Sequence, residues 1–454
     1  MSAMAQRDVG HLHAELLPIT TTQAYLLDTL TDTDCMRPYK HYWTICEGLR
    51  IKPGVRPRRL ERALKRLVQR HDNLRLAFTY RKGKWVAFQR EEDEITLKVE
   101  DYGDVSQEQM RKTCDAIVEE TMDVTGASLC DFRLLRFGSL GDVVFIRVHH
   151  AITDGFGMTV LAEDLIKFFL GLPMQGQVMS HIDYLRDIDA HQAKHTGMIE
   201  EYWRDLLFPA PSPIPFGRVQ KGMPAELVPG HIKKVINHTV SLPSEEFMRL
   251  SEKVTKAGAT SFTTLVTTLC GAIQEKTQTD DVIGRTVRAR ATGTLSNYTG
   301  IDLSFPYFRT KISDGKSVID RAVSLKNQLE TSGQYGSREL AKPVNRIEQE
   351  LRETVGSGPQ LFVHIASADG RAGASVFKKL FRAEGGTIIK VGNVEIERMA
   401  FRRVPALSVP SELALFVNHS NSNVRLNLRA DGDVFDPSEL AAIAEPFKET
   451  LLTL

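Results

Sequence analysis

The apolar positions of this chain switch repeatedly between helical and strand spacing. RPRRLERALKRLVQRHDNLRLAF, residues 56–78, opens with Leu60, Ala63, Leu64, Leu67 and Val68 on one helical face. The opposite face carries Arg58, Arg59, Arg62, Lys65, Arg66 and Arg70. LRLAFTYRKGKWVAF then predicts two strands joined by the turn RKGK. Residues 105–122 read as a helix, and DFRLLRF and DVVFIRVHH as strands around GSLGD. FGMTVLAEDLIKFFLG predicts a helix with Met158, Leu161, Leu165 and Phe168 or Phe169 as its stripe and Gly171 as its stop. The pattern weakens across GLPMQGQVMSHIDYLRDIDAHQ, a less regular segment that places a lobe boundary near residues 175–185. PAPSPIPFG, residues 209–217, reads as an extended link.

The second half restarts with the alternating HIKKVINHTVSL, a helix at 244–257, and the helix SFTTLVTTLCGAIQEKT with Ser261 as its N-cap. DVIGRTVRA, IDLSFPYFRTKI, QLFVHIAS, LALFVNHS and NVRLNLRAD read as strands, and a helix begun by Asp436 or Ser438 closes the chain. Strands and helices come in runs in both halves. The pattern is α+β or mixed-sheet α/β, not a Rossmann alternation. It divides into residues 1–178 and 179–454.

The 454 residues exceed what one core usually supports, in agreement with two lobes. Apolar residues make up 42% and charged residues 25%, an ordinary globular balance. A formal net charge of +1 gives no global field directed at nucleic acid or an anionic membrane. The N-terminus lacks the basic start and apolar core of a signal peptide, and no apolar run is long enough to cross a bilayer. Cys35, Cys46, Cys114, Cys130 and Cys270 form no CxxC pair, so the expected place is a reducing cytoplasm and the expected role is small buried side chains. Neither GxGxxG nor GxxxxGK[ST] occurs, which leaves nucleotide binding unsupported.

The chemistry concentrates in DVVFIRVHHAITDGFGM, residues 142–158. Successive strand side chains point to opposite faces, so if the strand runs through both histidines, His149 and His150 cannot share one pocket. That argues against a chelating pair, and Asp154 is the only other local metal ligand. No metal is expected. Gly155 suits a crowded or left-handed turn, and Asp154 suits the N-cap of the next helix. A histidine, a glycine turn and a carboxylate between an apolar strand and an apolar helix also make a general-base site, since imidazole titrates near neutrality. No GxSxG accompanies it, so the base would act on an incoming substrate. A buried Asp154 needs a partner, for which Arg75 and Arg290 are the candidates.

HHAITDG matches HHxxxDG, the signature of the chloramphenicol acetyltransferase and nonribosomal peptide synthetase condensation-domain superfamily. RHDNLRLAF resembles the family's RHExLRTxF, and LPITTTQAYLL, residues 17–27, its SxAQxRLW opening with Gln23 kept. HIDY (181–184) and EYWRDLL (201–207) resemble the segment after the first lobe. GRTVRAR (284–290) and TGIDLSFPYFR (299–309) resemble GxxxxxR and IGxFVNTxxxR, with the Gly300-to-Arg309 spacing kept. The resemblance spans nearly the whole chain. Asp302, Leu303, Ser304 and Phe305 replace FVNT, while HQDxPFE and RDxSRNPL survive only loosely in AKPVNRI and SGPQLF. DFGWG of the plant acyltransferases is absent, and no adenylation or carrier domain is attached, so a free-standing condensation enzyme is expected.

The resemblance implies a mixed α/β (α+β) fold of two chloramphenicol-acetyltransferase-like lobes, a V-shaped pseudo-dimer with a central tunnel. It makes His150 the catalytic base, His149 and Asp154 structural, and Gly155 a turn residue that leaves room at the tunnel. The implied reaction is acyl transfer from a thioester to an amine or hydroxyl in nonribosomal peptide or polyketide-type biosynthesis. The donor is the phosphopantetheine arm of an acyl or peptidyl carrier protein, with no permanently bound cofactor. The acceptor is a small molecule or is carrier-bound, and the expected state is a monomer with no nucleic-acid or membrane partner. Asp302, Ser304 and Tyr307 are candidate acceptor-side tunnel residues, and the basic face from Arg58 to Arg70 is a candidate carrier-docking patch. The alternatives are a CoA-dependent acyltransferase, an epimerase-like enzyme and a non-catalytic docking protein.

Overall fold

A computed structural model describes the chain from residue 15 onward, except residues 21, 25, 28–42, 123, 125–127, 216, 218–234, 290–297, 313–314, 336–346, 348, 352, 355–360, 366–379, 382–387, 402–411, 420–422 and 434. Among the described residues, two six-stranded sheets organise the molecule.

The N-terminal half supplies strands β1 (Thr44–Lys52), β2 (Leu76–Arg81), β3 (Lys84–Gln89), β4 (Leu97–Asp101), β5 (Cys130–Arg136) and β6 (Asp142–His149). It also supplies helices α1 (Pro57–Arg70), α2 (Gln107–Glu119) and α3 (Gly155–Leu170). Helix α4 (His181–Leu207) leads into the second half, with β7 (Val235–Pro243), α5 (Ser244–Lys256), α6 (Ser261–Thr277), β8 (Asp281–Thr286), β9 (Arg288–Ala289), β10 (Leu303–Ser304), β11 (Tyr307–Lys311) and α7 (Val318–Tyr335). Strands β12 (Leu361–Ile365), β13 (Ile388–Val391), β14 (Val394–Arg398), β15 (Leu413–His419) and β16 (Asn423–Asp431) follow, then helix α8 (Pro437–Thr453).

The first sheet runs β13-β14-β1-β6-β5-β4. Strand β6 is buried along its whole length because both faces are covered. Val144, Ile146 and Val148 join the core with α1 and α3, while Val143 and Phe145 pack with α2. An unbroken apolar run in place of strict alternation is what two-sided burial demands. The RKGK hairpin forms as read, with Lys82 and Gly83 at φ 49° and 80°. Those left-handed positions give the twist that a two-residue hairpin needs.

The second sheet runs β11-β8-β12-β15-β16-β7, with β12 parallel to both of its neighbours. One face packs against four helices, and α4 covers the other face at the β8–β11 edge through Ile199, Trp203 and Leu207 against Ile283 and Tyr307. Leu361, Val363, Leu413, Leu415, Val417, Leu426 and Leu428 share a core with α5, α6, α7 and α8. The alternate positions therefore face the other way.

Three expectations change. The division at 178/179 is crossed by the chain, because β14 pairs with β1 and β13 with β14. The hairpin IIKVGNVEIER buries Ile389 and Ile396 in the N-terminal core, so the second half of the chain completes the first sheet. The segment read as less regular contains the start of α4, where the Ser180 hydroxyl accepts from the Asp183 amide and Tyr184 and Ile188 are buried. The N-cap of α6 is Thr260, not Ser261, because the Thr260 hydroxyl accepts from the Thr263 amide. Cys46, Cys114, Cys130 and Cys270 are free and buried, and burial pushes the thiols of Cys114, Cys130 and Cys270 up to about 12. Cys35 lies outside the described residues.

Ile396 is fully buried and lies opposite Ile51 and Ile389. Ile396→Ala is expected to destabilise the N-terminal sheet by about 2–5 kcal/mol. Urea unfolding, with hydrogen exchange of the β1 amides, measures the loss and places it in that sheet.

Candidate functional site

Strand β6 ends at His149, and the chain turns at once into α3. His149 is buried, and its ring Nδ1 accepts the Ala151 amide at 3.1 Å. Burial, with the adjoining His150, pushes it down to about 3. His150 belongs to the turn and is half-buried. Its amide donates to the Trp43 carbonyl at 2.5 Å, and the Trp43 ring meets its ring edge-on at 6.1 Å. The two rings therefore separate because the strand stops between them, not because a continuing strand alternates.

Asp154 caps α3. One carboxylate oxygen accepts the Gly157 amide at 2.7 Å and the other the Asp302 amide at 3.0 Å. These described bonds come from backbone and not from an arginine. The charge of Arg75 acts on Asp72, and Arg290 lies outside the described residues. The crowding expected at Gly155 falls on Gly157. A Cβ at Gly157 would lie 2.2 Å from the Thr299 carbonyl oxygen, whereas one at Gly155 would meet nothing within 4 Å.

Side chains from distant parts of the sequence hold this turn. Gln23 Nε2 donates to the Ala151 carbonyl at 3.0 Å and Asn73 Nδ2 to the Ile152 carbonyl at 2.8 Å. The Thr153 hydroxyl donates to the Thr299 carbonyl at 2.8 Å, and the Thr299 hydroxyl donates to Asn73 Oδ1 at 2.7 Å. His71 links Thr299 at 3.0 Å to Asp164 of α3 at 2.9 Å. Thr299 and Asp302 thus join the turn to the second half of the chain.

His364 of β12 lies on the face of the second sheet opposite Leu361 and Val363. Its ring stands edge-on to Phe416 at 5.8 Å and tilted against Phe362 at 6.3 Å. The guanidinium of Arg429 lies 4.3 Å from the centre of the Phe416 ring. Burial, with His150 and Arg429 as electrostatic neighbours, pulls His364 down to about 4. The two halves of the chain thus bring two histidines within electrostatic reach of each other.

The family model named Condensation domain matches residues 30–454. The chain is a condensation-domain protein. This family serves nonribosomal synthesis of peptides and depsipeptides. The chain is 28% identical over 320 residues to a bassianolide nonribosomal cyclodepsipeptide synthetase of Beauveria bassiana, covering 66% of this chain and 10% of that protein. It spans 5% to 10% of the length of the first four curated relatives it matches. Its fold is similar to the SgcC5 protein of Streptomyces globisporus, with a TM-score of 0.71, 17% identity and coverage of 96% and 98% of the two chains. It is also similar to the condensation domain of the Monacolin K polyketide synthase MokA, with a TM-score of 0.74, 13% identity and 97% of each chain covered.

The condensation-domain signature is therefore assembled with the companion segments around it: Gln23, the RHDN stretch and TGID all bond to the HHAITDG turn or its partners. The acceptor-side candidates Asp302, Ser304 and Tyr307 have the following surroundings. Asp302 is buried, its carboxylate accepts the Tyr184 hydroxyl at 3.0 Å, and Tyr184 stacks on Tyr298 at 4.1 Å. Tyr307 is buried beneath Arg285 at 4.8 Å and beside Trp203 at 6.0 Å, and Ser304 is half-buried on β10. Sequence reasoning missed Trp43, which precedes a strand it did not read, and His364. The alternation of QLFVHIAS carried a signal for His364: once Leu361 and Val363 are core, Phe362 and His364 share the opposite face.

Two outcomes follow from the turn. Asp154→Ala removes the acceptor of two buried backbone donors and is expected to cost about 1–3 kcal/mol, read by chemical denaturation. Acid sensitivity follows from His149, His181 and His364, each held low by burial, to about 3, 4 and 4. Unfolded histidine binds a proton near pH 6.5, so stability is full above that value and falls as the pH drops towards 4. His149→Gln is expected to flatten this decline in a denaturation series between pH 7 and pH 4, and an unchanged slope would assign the sensitivity elsewhere.

Proposed function

We propose that this chain transfers an acyl group from a thioester on the phosphopantetheine arm of an acyl or peptidyl carrier protein to an amine or hydroxyl acceptor, with His150 as general base. The observation that carries the reading is the division between the two histidines. His149 is buried with its Nδ1 bonded to the Ala151 amide, while His150 is half-buried on a turn fixed by both halves of the chain.

The thioester is already activated, so positioning and one proton transfer suffice. The acceptor N–H or O–H gives its proton to His150 as the nitrogen or oxygen attacks the thioester carbonyl. The new C–N or C–O bond forms, the C–S bond breaks, and the departing thiolate takes the proton from the His150 imidazolium. The first amides of α3, including that of Gly155, lie beside His150 in sequence and favour negative charge at the carbonyl oxygen.

The partner is assigned to α1. Arg58, Arg59, Arg62, Lys65 and Arg66 are exposed there, and carrier proteins are generally acidic. The inward face of the same helix is core, so its outer charges can change without loss of the fold.

His150→Ala is expected to lower the rate of amide or ester formation by about 10²–10⁴-fold, with products identified by mass spectrometry from pools of donors and acceptors. Equal rates would favour a docking protein without chemistry. Solvent exchange of an α-proton without a condensed product would favour an epimerase. Arg62→Glu with Arg66→Glu is expected to raise the KM for a carrier-bound donor several-fold and leave that for acyl-CoA unchanged. An unchanged carrier KM would remove the patch from the reading, and faster turnover with CoA than with a carrier would make CoA the donor.

A further inference from the structure

We propose that His364 is a second catalytic side chain, whose ring N–H binds the thioester carbonyl oxygen while His150 takes the acceptor's proton. The proposal rests on the reading of His150 as the base.

The register of the second sheet sets the position. Leu361 and Val363 point into the helix-packed core, so Phe362 and His364 lie on the opposite face of β12. On that face Phe362 is level with Arg285 and Ala414, His364 with Phe416, and Ala414 with Arg429. The result is a wall of aromatic rings and arginines with one imidazole in it. Phe362 and Phe416 both contact the imidazole ring, which restricts its orientation. The segment that bonds to the histidine turn through Thr299 and Asp302 also reaches this wall, since Phe305 packs against Phe362, Ala414 and Phe416.

The electrostatics fit the role. The groups that act electrostatically on His364 are His150 and Arg429, and among the described residues no carboxylate contributes. With its titration held near 4, the ring is neutral at physiological pH and carries one N–H. A neutral imidazole can donate to a developing oxyanion without taking the acceptor's proton, which leaves that proton to His150. Two titratable groups at one centre, divided by their surroundings into a donor and a base, is a recurring solution to this problem. In the step itself the acceptor N–H or O–H bond breaks, C–N or C–O forms and C–S breaks, and His364 keeps its proton throughout.

The experiment uses the full chain, aminoacyl N-acetylcysteamine thioesters with a panel of primary amines and alcohols, and thiol release as the readout. His364→Ala and His364→Phe are expected to lower kcat by about 10²–10³-fold with KM for the thioester little changed. His364→Gln, which restores an N–H donor, is expected to recover most of the loss, whereas a purely structural ring would be replaced better by phenylalanine. Circular dichroism and thermal unfolding check the fold of each variant, and the Phe and Gln pair carries the comparison if the alanine variant unfolds. Wild-type activity in His364→Phe, with His150→Ala inactive, overturns this inference and leaves the base assignment standing. A wild-type chain no faster than His150→Ala overturns both.

Discussion

The site depends on one carboxylate. Asp154 accepts a hydrogen bond from Gly157, in its own helix, and another from Asp302, in the second half of the chain. A buried carboxylate without such donors is costly, so the turn and the distant segment must be formed together. The close approach of the Thr299 carbonyl to Gly157 adds a steric condition, since no side chain fits at that glycine. The location of His150 is therefore set by contacts between the halves, not by the turn alone.

The histidines show how burial sorts identical side chains. His149 and His181 are enclosed and have internal partners, the Ala151 amide and the Tyr298 hydroxyl. His71 is buried between Thr299 and Asp164 and ties the RHDN stretch to the same latch. His150 and His364 are only half-buried, one on the turn and one on the sheet opposite. Desolvation lowers His149, His181 and His364, and Arg429 and His150 lower His364 further.

The second sheet packs one face on four helices, α4 covers the β8–β11 edge of the other, and the first sheet is completed by a hairpin from the far half of the chain. Both arrangements couple the halves. The hairpin shares the N-terminal core through Ile389 and Ile396, and the 298–304 segment shares the histidine turn. Relative movement of the sheets would have to disturb a packed core, a buried carboxylate and the Tyr184–Tyr298 stack at the same time.

By itself the sequence determined most of the elements, the mixed α/β class, the family and the turn that carries the chemistry, because periodicity, caps and HHAITDG are local patterns. The helix stripes of α1 and α3, the Lys82–Gly83 hairpin and the Asp154 cap all rest on neighbours within a few residues. Tertiary structure alone decided the partners of Asp154, the glycine that crowding constrains, the return of residues 388–398 to the first sheet and the bringing of His364 within electrostatic reach of His150. Each of these joins residues more than a hundred positions apart or depends on which face of a sheet is covered. Spacing along a chain does not encode such contacts, since they arise only when packing and hydrogen-bond satisfaction bring the two halves together.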